Sequence, residues 1–355
     1  MSFENAIHAR AILLDTMSLE MCAESGSGHP TSAMSIGHLV AVLMYRTMRW
    51  LPDNPENATS DRLVLSEGHA VPAVYAAMAD IGVTVDWNGE PVVLNPEHLK
   101  TLREDDSPLD GHPNPKEGVA FFDAATGSLG QGLSVAAGLA IAARADNTGR
   151  KTYCIIGDGE AREGQITEAL DFIMDHQLAS VLPIFNCNSY GQAGSVSDQQ
   201  SPAKLAAKLE AAGFEVAVID GHAPNEIKTA FDAFNQDGRT QPMAVVAKTV
   251  KGWGAPSMQG GTWHGKPATG KQLETVISEL KQTGLKLTSS MATDSISILA
   301  PPKANNITPS VGTPMTFREA MQKWDMTTVL QSGTMATRYS FCKWNFWTDY
   351  NEVNL

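Results

Sequence analysis

Between about residues 120 and 250, short apolar runs alternate with segments of helical period, and no other feature narrows the fold so far. "KTYCIIG" (151–157) is a short apolar run that stops at a glycine, and "EGQITEALDFIMDHQL" (163–178) then spaces its apolar residues three and four apart. "VLPIFNCN" (181–188) is a second run, followed by the polar loop "SYGQAGSVSDQQSP" (189–202). A helix over 203–213, a strand over 214–219, a helix over 224–236 and a strand over 242–250 continue the pattern. Strands that alternate with helices pair in parallel through crossovers, which predicts the α/β class: a mostly parallel sheet flanked by helices. The segment 128–145, "SLGQGLSVAAGLAIAARA", is apolar nearly all round and predicts a buried helix. Ligands of such sheets lie beyond the carboxyl ends of the strands. The loops after 151–157 and 181–188 fall there.

The flanking regions read differently. Residues 1–25 predict an amphipathic helix without the basic start and apolar core of a signal peptide. The rest of 1–120 adds helices separated by histidine-bearing loops. After "SSMATDSISILAPPKANNITPSVGTP" (289–314), a Ser/Thr/Pro/Asn-rich linker, 315–331 predicts one helix and the end has no clear period. The expected division is a domain over 1–285 and a linker or tail over 286–355, too short for another α/β domain. A net charge of −13 with scattered Lys and Arg offers no patch for nucleic acid or an anionic membrane, so an anion has to be held locally. No apolar run reaches the roughly 18–20 residues of a membrane span. Four cysteines without CxxC spacing, two of them in the predicted strands, read as reduced structural thiols in a cytoplasm.

Within this frame the two loops acquire chemistry. Gly-Asp-Gly (157–159) by itself is a tight turn ahead of an acidic first helical turn. Asn188 ends the next strand, however, and two hard oxygen donors on adjacent loops suit Mg²⁺ or Ca²⁺, with phosphate oxygens completing the shell. Gly157 and Gly159 let the main chain approach a diphosphate, and the following helix offers its free N–H groups. Four of the nine histidines, His29, His69, His112 and His264, stand beside glycines on loops. There, neutral imidazole can donate to hydroxyls and polarise a carbonyl near neutral pH. His8, His38, His98, His176 and His222 are read as structural or surface residues.

Six segments, in order over about residues 1–280, give the chain its resemblance to the amino-terminal, thiamine diphosphate-binding domain of the transketolase family. They are "SGSGHPTSAMSIG" (25–37), "RLVLSEGHAVPAVYA" (62–76), "DGHPNPKEGVAFFDAATGSLGQG" (110–132), "GDGEAREGQITEAL" (157–170), "FEVAVIDGH" (214–222) and "KTVKGWGAPSMQGGTWHGK" (248–266). The resemblance implies that Asp158, Asn188 and the main-chain oxygen of Tyr190 ligate the metal. It implies that Gly159 and His69 meet the diphosphate, with Gly127 and Leu129 lining the cofactor. His29 and His264 would bond the donor substrate and His112 its terminal hydroxymethyl group, His264 also facing the cofactor. Glu163, counted with the cofactor residues, and Glu168 match acidic positions near the family's subunit interface. Ser128 replaces a usual proline.

The same resemblance implies partners. Family chemistry needs a pyrimidine-binding domain, whose glutamate hydrogen-bonds the aminopyrimidine, and 286–355 cannot hold it. "MATRYSF" (335–341) resembles its opening, after which the sequence departs. The expectations are therefore a transketolase component acting on sugar phosphates, as a homodimer or with a separate pyrimidine-domain chain, or a truncated, catalytically silent cofactor-binding module. Asn186 and Cys187 resemble the pyruvate dehydrogenase branch, which keeps a 2-oxo acid donor as the enzymatic alternative.

Overall fold

In the computed structural model, residues 2–192, 194–288 and 297–303 are described. The expected 315–331 helix, the 335–341 segment and Cys342 lie outside them. Eight α-helices are described: α1 (Phe3–Glu24), α2 (Pro30–Val42), α3 (Val71–Ile81), α4 (Gly132–Ala145), α5 (Gly164–Asp175), α6 (Pro202–Ala211), α7 (Pro224–Phe234) and α8 (Lys271–Leu287). The strands are β1 (Arg62–Leu65), β2 (Thr84–Trp87), β3 (Glu90–Val93), β4 (Thr152–Gly157), β5 (Val181–Cys187), β6 (Tyr190–Gly191), β7 (Gly194–Ser195), β8 (Glu215–Asp220) and β9 (Met243–Lys248). Five form one parallel sheet in the order β1-β4-β5-β9-β8, and β2/β3 and β6/β7 are small antiparallel hairpins.

Side-chain alternation along the strands sorts the core into two layers. Leu63, Leu65, Tyr153, Ile155, Leu182, Ile184 and Val245 pack toward α1, α2, α3 and α7. Val64, Cys154, Ile156, Val181, Phe185 and Val246 pack toward α4, α5 and α6. β4 and β5 are buried along their whole length, which is why they read as unbroken apolar runs. Edge strand β8 is mostly exposed or half-buried, with only Ile219 buried. Helix starts follow local chemistry: Pro30, Pro202 and Pro224 occupy first-turn positions where their missing N–H costs nothing.

Three expectations are corrected. α1 is not amphipathic: residues 7–12 are buried consecutively, because the sheet-side helices cover one flank and α8 the other. The 128–145 helix starts only at Gly132, with 128–131 in turns that feed the site. On α4, Val135 and Ile141 are only partly buried. β1, unexpected among the helices of 1–120, is a four-residue run too short to show a period.

One carboxylate sits badly in this core. Asp15 of α1 is fully buried against Gly37 of α2, and neither of its oxygens finds a hydrogen-bond partner among the described residues. Burial pushes its pKa well above the ordinary carboxylate value. The folded chain then keeps a proton that the unfolded chain releases, so stability falls as pH rises above the usual carboxylate range. The isosteric Asp15→Leu exchange is expected to stabilise the fold by about 1–3 kcal/mol at neutral pH. The gain should shrink toward pH 4. Denaturant titrations at several pH values measure it, and an unchanged or lower stability at neutral pH contradicts the account.

Candidate functional site

The β4–β5 pairing places Gly157 opposite Asn186, so Asp158 and Asn188 emerge from neighbouring strands at the same end of the sheet. Both are buried, and the Asp158 N–H donates to the Asn186 carbonyl at 3.1 Å. The Asp158 carboxylate accepts from the Gly159 N–H at 2.7 Å and the Ser189 N–H at 2.6 Å. The Tyr190 N–H donates to Asn188 Oδ1 at 3.0 Å. A Cβ added at Gly159 would stand 2.8 Å from Gly191 Cα and 3.9 Å from the Tyr190 carbonyl oxygen. Only glycine lets these loops touch. The three expected metal ligands thus share one patch. Burial pushes the Asp158 carboxyl up to about 6, against the pull of the two N–H groups. No group of three or more His, Cys, Asp or Glu is placed to hold a metal among the described residues. A cation here would rest on one carboxylate, one amide and a main-chain oxygen, a set that suits Mg²⁺ or Ca²⁺ and needs phosphate or water to complete it.

Beside this patch three imidazoles pack together, His29 edge-to-face with the other two. His29 lies 5.0 Å from His69 and 4.7 Å from His264, centroid to centroid, and His69 lies 5.3 Å from His264. His112 makes no ring contact with them but stands against Gly127, whose φ of +129° and missing Cβ (2.7 Å from His112 Cδ2) admit it. It is near enough for its charge to be felt at His29 and His69. Burial favours the neutral rings, helped by repulsion from neighbouring imidazoles at His29 and His69 and from Lys251 at His264, lowering His29 and His264 to about 4 and His69 well below the ordinary histidine value. His112 is lowered as well, by burial and by Arg103. His29 Nδ1 is buried without a partner among the described residues. An orphaned ring nitrogen in a cluster of neutral imidazoles is a seat for a polar ligand.

The remaining expected residues sit less centrally. Leu129 is half-buried and Ser128 exposed. Glu163 and Glu168 are exposed, Glu163 against Gly130 at the start of α5. Glu160, read from the sequence only as part of an acidic first helical turn, is the buried acid of that turn. It accepts from Ser66, from the Gly130 N–H at 2.8 Å and from the Gly157 N–H at 3.0 Å, stapling the 126–131 turn to the Gly-Asp-Gly loop. Sequence reasoning overlooked Glu67. It accepts from Asn186 Nδ2 at 2.8 Å, and burial raises its pKa well above the ordinary value. Asn186 also donates to Ser35 and accepts from Thr249, so this residue is spent inside the fold.

Lys251 is the second omission. It is 2% exposed, and its Nζ reaches His264 Nδ1 at 3.0 Å and Ser32 Oγ at 3.1 Å. A charged ammonium only donates, so His264 Nδ1 accepts and the neutral ring carries its proton on Nε2. Burial lowers the lysine pKa, while Glu67 and Asp158 hold it up. The only signal for Lys251 was its place in the 248–266 motif, where a lysine between small residues looks like a surface residue.

Comparison with known proteins gives the family of this fold. The family model described as "Transketolase, thiamine diphosphate binding domain" matches residues 6–290. Transketolase from Homo sapiens is 38% identical over 277 residues, covering 78% of this chain and 42% of that protein. The chain thus spans about two fifths of that relative's length. The 6-deoxy-6-sulfo-D-fructose transketolase subunit SqwG from a Clostridium strain is 34% identical over 276 residues, covering 78% of this chain and 96% of that protein. Among solved structures, transketolase from Campylobacter jejuni superposes with a TM-score of 0.67 at 28% identity, over 80% of this chain and 46% of that one. The Leishmania mexicana enzyme gives 0.66 at 25%, over 82% and 46%. On this evidence the chain belongs to the transketolase family, through its thiamine diphosphate-binding domain.

Proposed function

We propose that this chain is the cofactor-holding component of a transketolase, binding thiamine diphosphate with Mg²⁺ or Ca²⁺. With a pyrimidine-binding domain it would transfer a two-carbon ketol unit from a ketose phosphate to an aldose phosphate. The observation that carries the reading is the convergence of His29, His69, His264 and Lys251 beside the Asp158–Asn188 patch. The residues fit the group: a glycine-lined approach, two hard oxygens at strand ends, and a buried imidazole nitrogen without a partner. Asp158, Asn188 and the Tyr190 carbonyl would hold the cation, while Gly159 and His69 would meet the diphosphate and Gly127 and Leu129 line the cofactor. Thiamine diphosphate, when bound, supplies the nucleophilic carbon that takes up the two-carbon unit.

The chain's own groups bind and orient. His29 and His264, kept neutral, would donate to or accept from the hydroxyls and carbonyl of the donor sugar, and His112 would reach its terminal hydroxymethyl group. Lys251 fixes the His264 proton on Nε2 and adds a cation where an anionic cofactor would lie. The likeness to a named subunit supports a split arrangement in which a second chain provides the pyrimidine-binding domain. The partly buried Val135 and Ile141 of α4 and the exposed Glu163 and Glu168 offer that partner, or a second copy, a surface. Among the described residues no helix is long and apolar enough to cross a membrane.

The test mixes the full chain with thiamine diphosphate and Mg²⁺, with and without a pyrimidine-domain chain, and follows ketol transfer between sugar phosphates. Absence of transfer in every pairing overturns the proposal, and carbon dioxide release from pyruvate redirects it to 2-oxo acids. Asp158→Ala is expected to weaken Mg²⁺-dependent cofactor binding more than about a hundredfold, because it removes the single charged ligand of the cation. Calorimetry reads this, with circular dichroism checking the fold.

Acid should also loosen the pocket. His29 and His264 titrate near 4 in the folded chain but near 6.5 once unfolded. The unfolded chain therefore binds more protons between those values, and stability is lost as pH falls from about 6.5 to 4. Melting curves across that range are expected to drop more steeply for the parent than for His29→Asn. Parallel curves would contradict the assignment.

A further inference from the structure

Outside the candidate pocket, three other histidines form a chain of their own. His8 of α1, His38 of α2 and His222, in the loop between β8 and α7, meet in the core. His8 Nδ1 stands 2.9 Å from His38 Nε2, and His222 Nδ1 stands 3.3 Å from His38 Nδ1. At the far end the Val250 N–H donates to His222 Nε2 at 2.9 Å. A main-chain N–H can only donate, so His222 Nε2 is a bare lone pair and the neutral ring carries its proton on Nδ1. That proton points at His38 Nδ1, which therefore accepts, and His38 keeps its own proton on Nε2 to donate to His8. One backbone N–H thus sets the tautomer of three rings. Burial favours the neutral form of all three.

The chain ends on a segment that matters. Val250 is held by His222, and Trp253 stacks on the same ring at 5.0 Å and 18° while meeting His38 edge-on at 4.4 Å. Gly252 N–H is tied to the Thr31 carbonyl at 3.0 Å. Between these anchors lies Lys251, whose Nζ sits on His264. The segment borders a cavity of about 560 Å³ lined by Asp220, His222, Glu226, Lys248, Val250 and Trp253, so water can compete for the Val250 N–H unless a fixed acceptor occupies it.

We propose that His222, backed by His38 and His8, is a positioning residue: the imidazole chain clamps residues 250–253 and so places the Lys251 ammonium on His264. The proposal rests on reading the His29–His69–His264 pocket as the cofactor site, but its geometry does not depend on that reading. An apolar residue at 222 could fill the same volume yet leave the Val250 N–H without its acceptor.

The test uses the full chain with ¹⁵N-labelled histidine, its ring signals assigned by single substitutions. At neutral pH, His222 is expected to be protonated on Nδ1 alone, and His38 and His264 on Nε2 alone. His222→Leu should shift the His264 ring signals although the two residues share no contact in the structure. His222→Gln, whose side-chain oxygen can take the Val250 N–H, should restore them. Should His222→Leu fail to fold, His38→Leu frees the His222 ring and carries the same readout. In calorimetry, His222→Leu should weaken thiamine diphosphate and Mg²⁺ binding about tenfold, the scale on which losing an orienting partner acts. It should add nothing further to Lys251→Met, since both act through one group. A His222 protonated on Nε2, His264 signals unmoved by His222→Leu, or fully additive losses overturn the proposal. If the parent chain binds no thiamine diphosphate, the functional reading fails and the His264 signals alone decide this one.

Discussion

The register of β4 against β5 governs the rest of this structure. With Gly157 opposite Asn186, the two strands end level, and the Asp158 carboxylate finds the N–H groups of its own turn and of Ser189 within reach. A slip of one residue would turn every side chain of β5 to the opposite face. Phe185 would leave one core layer and Ile184 the other. Two cores therefore police one register, and through it the distance between an acid and an amide that are thirty positions apart in the sequence.

Behind those strand ends lies a polar layer that a small apolar core would not tolerate. Glu67, Asn186, Ser35 and Asn188 bond one another while buried, the half-buried Thr249 donates to Asn186, and Glu160 holds two main-chain N–H groups and a hydroxyl. Each bond is modest in net terms, but leaving one of these groups alone costs about 1–3 kcal/mol. A network with every member engaged is therefore rigid. Asp15 supplies the contrast within the same chain, a buried acid without such company.

How much was legible in the sequence follows from what periodicity can encode. β4, β5, β8, β9 and the helices between them were visible because buried strands write unbroken apolar runs and half-buried helices write a stripe. α1 hides its surroundings, since a helix covered on all sides carries no stripe. β1 is too short to declare itself. In the site, Asp158, Asn188 and the glycine-flanked histidines were legible because each combines an unusual residue with a turn. Lys251, Glu67 and Glu160 were not, because a charged side chain reads as solvated until tertiary structure supplies its partner. His8, His38 and His222 stand far apart in the sequence, and nothing local distinguishes a lone imidazole that will meet two others.

The pocket's parts are also far apart in time. Thr31 accepts from Gly252 and its hydroxyl donates to the Trp263 carbonyl, a separation of 232 positions for the latter pair. During synthesis, residues 29 and 69 emerge early and wait with their imidazole edges bare until the stretch through 264 has left the ribosome and docked. A nascent chain halted short of that point would already hold most of its sheet but none of the completed pocket. Completing the pocket therefore waits on contacts between the two ends of this domain, which close late and at a high cost in loop entropy.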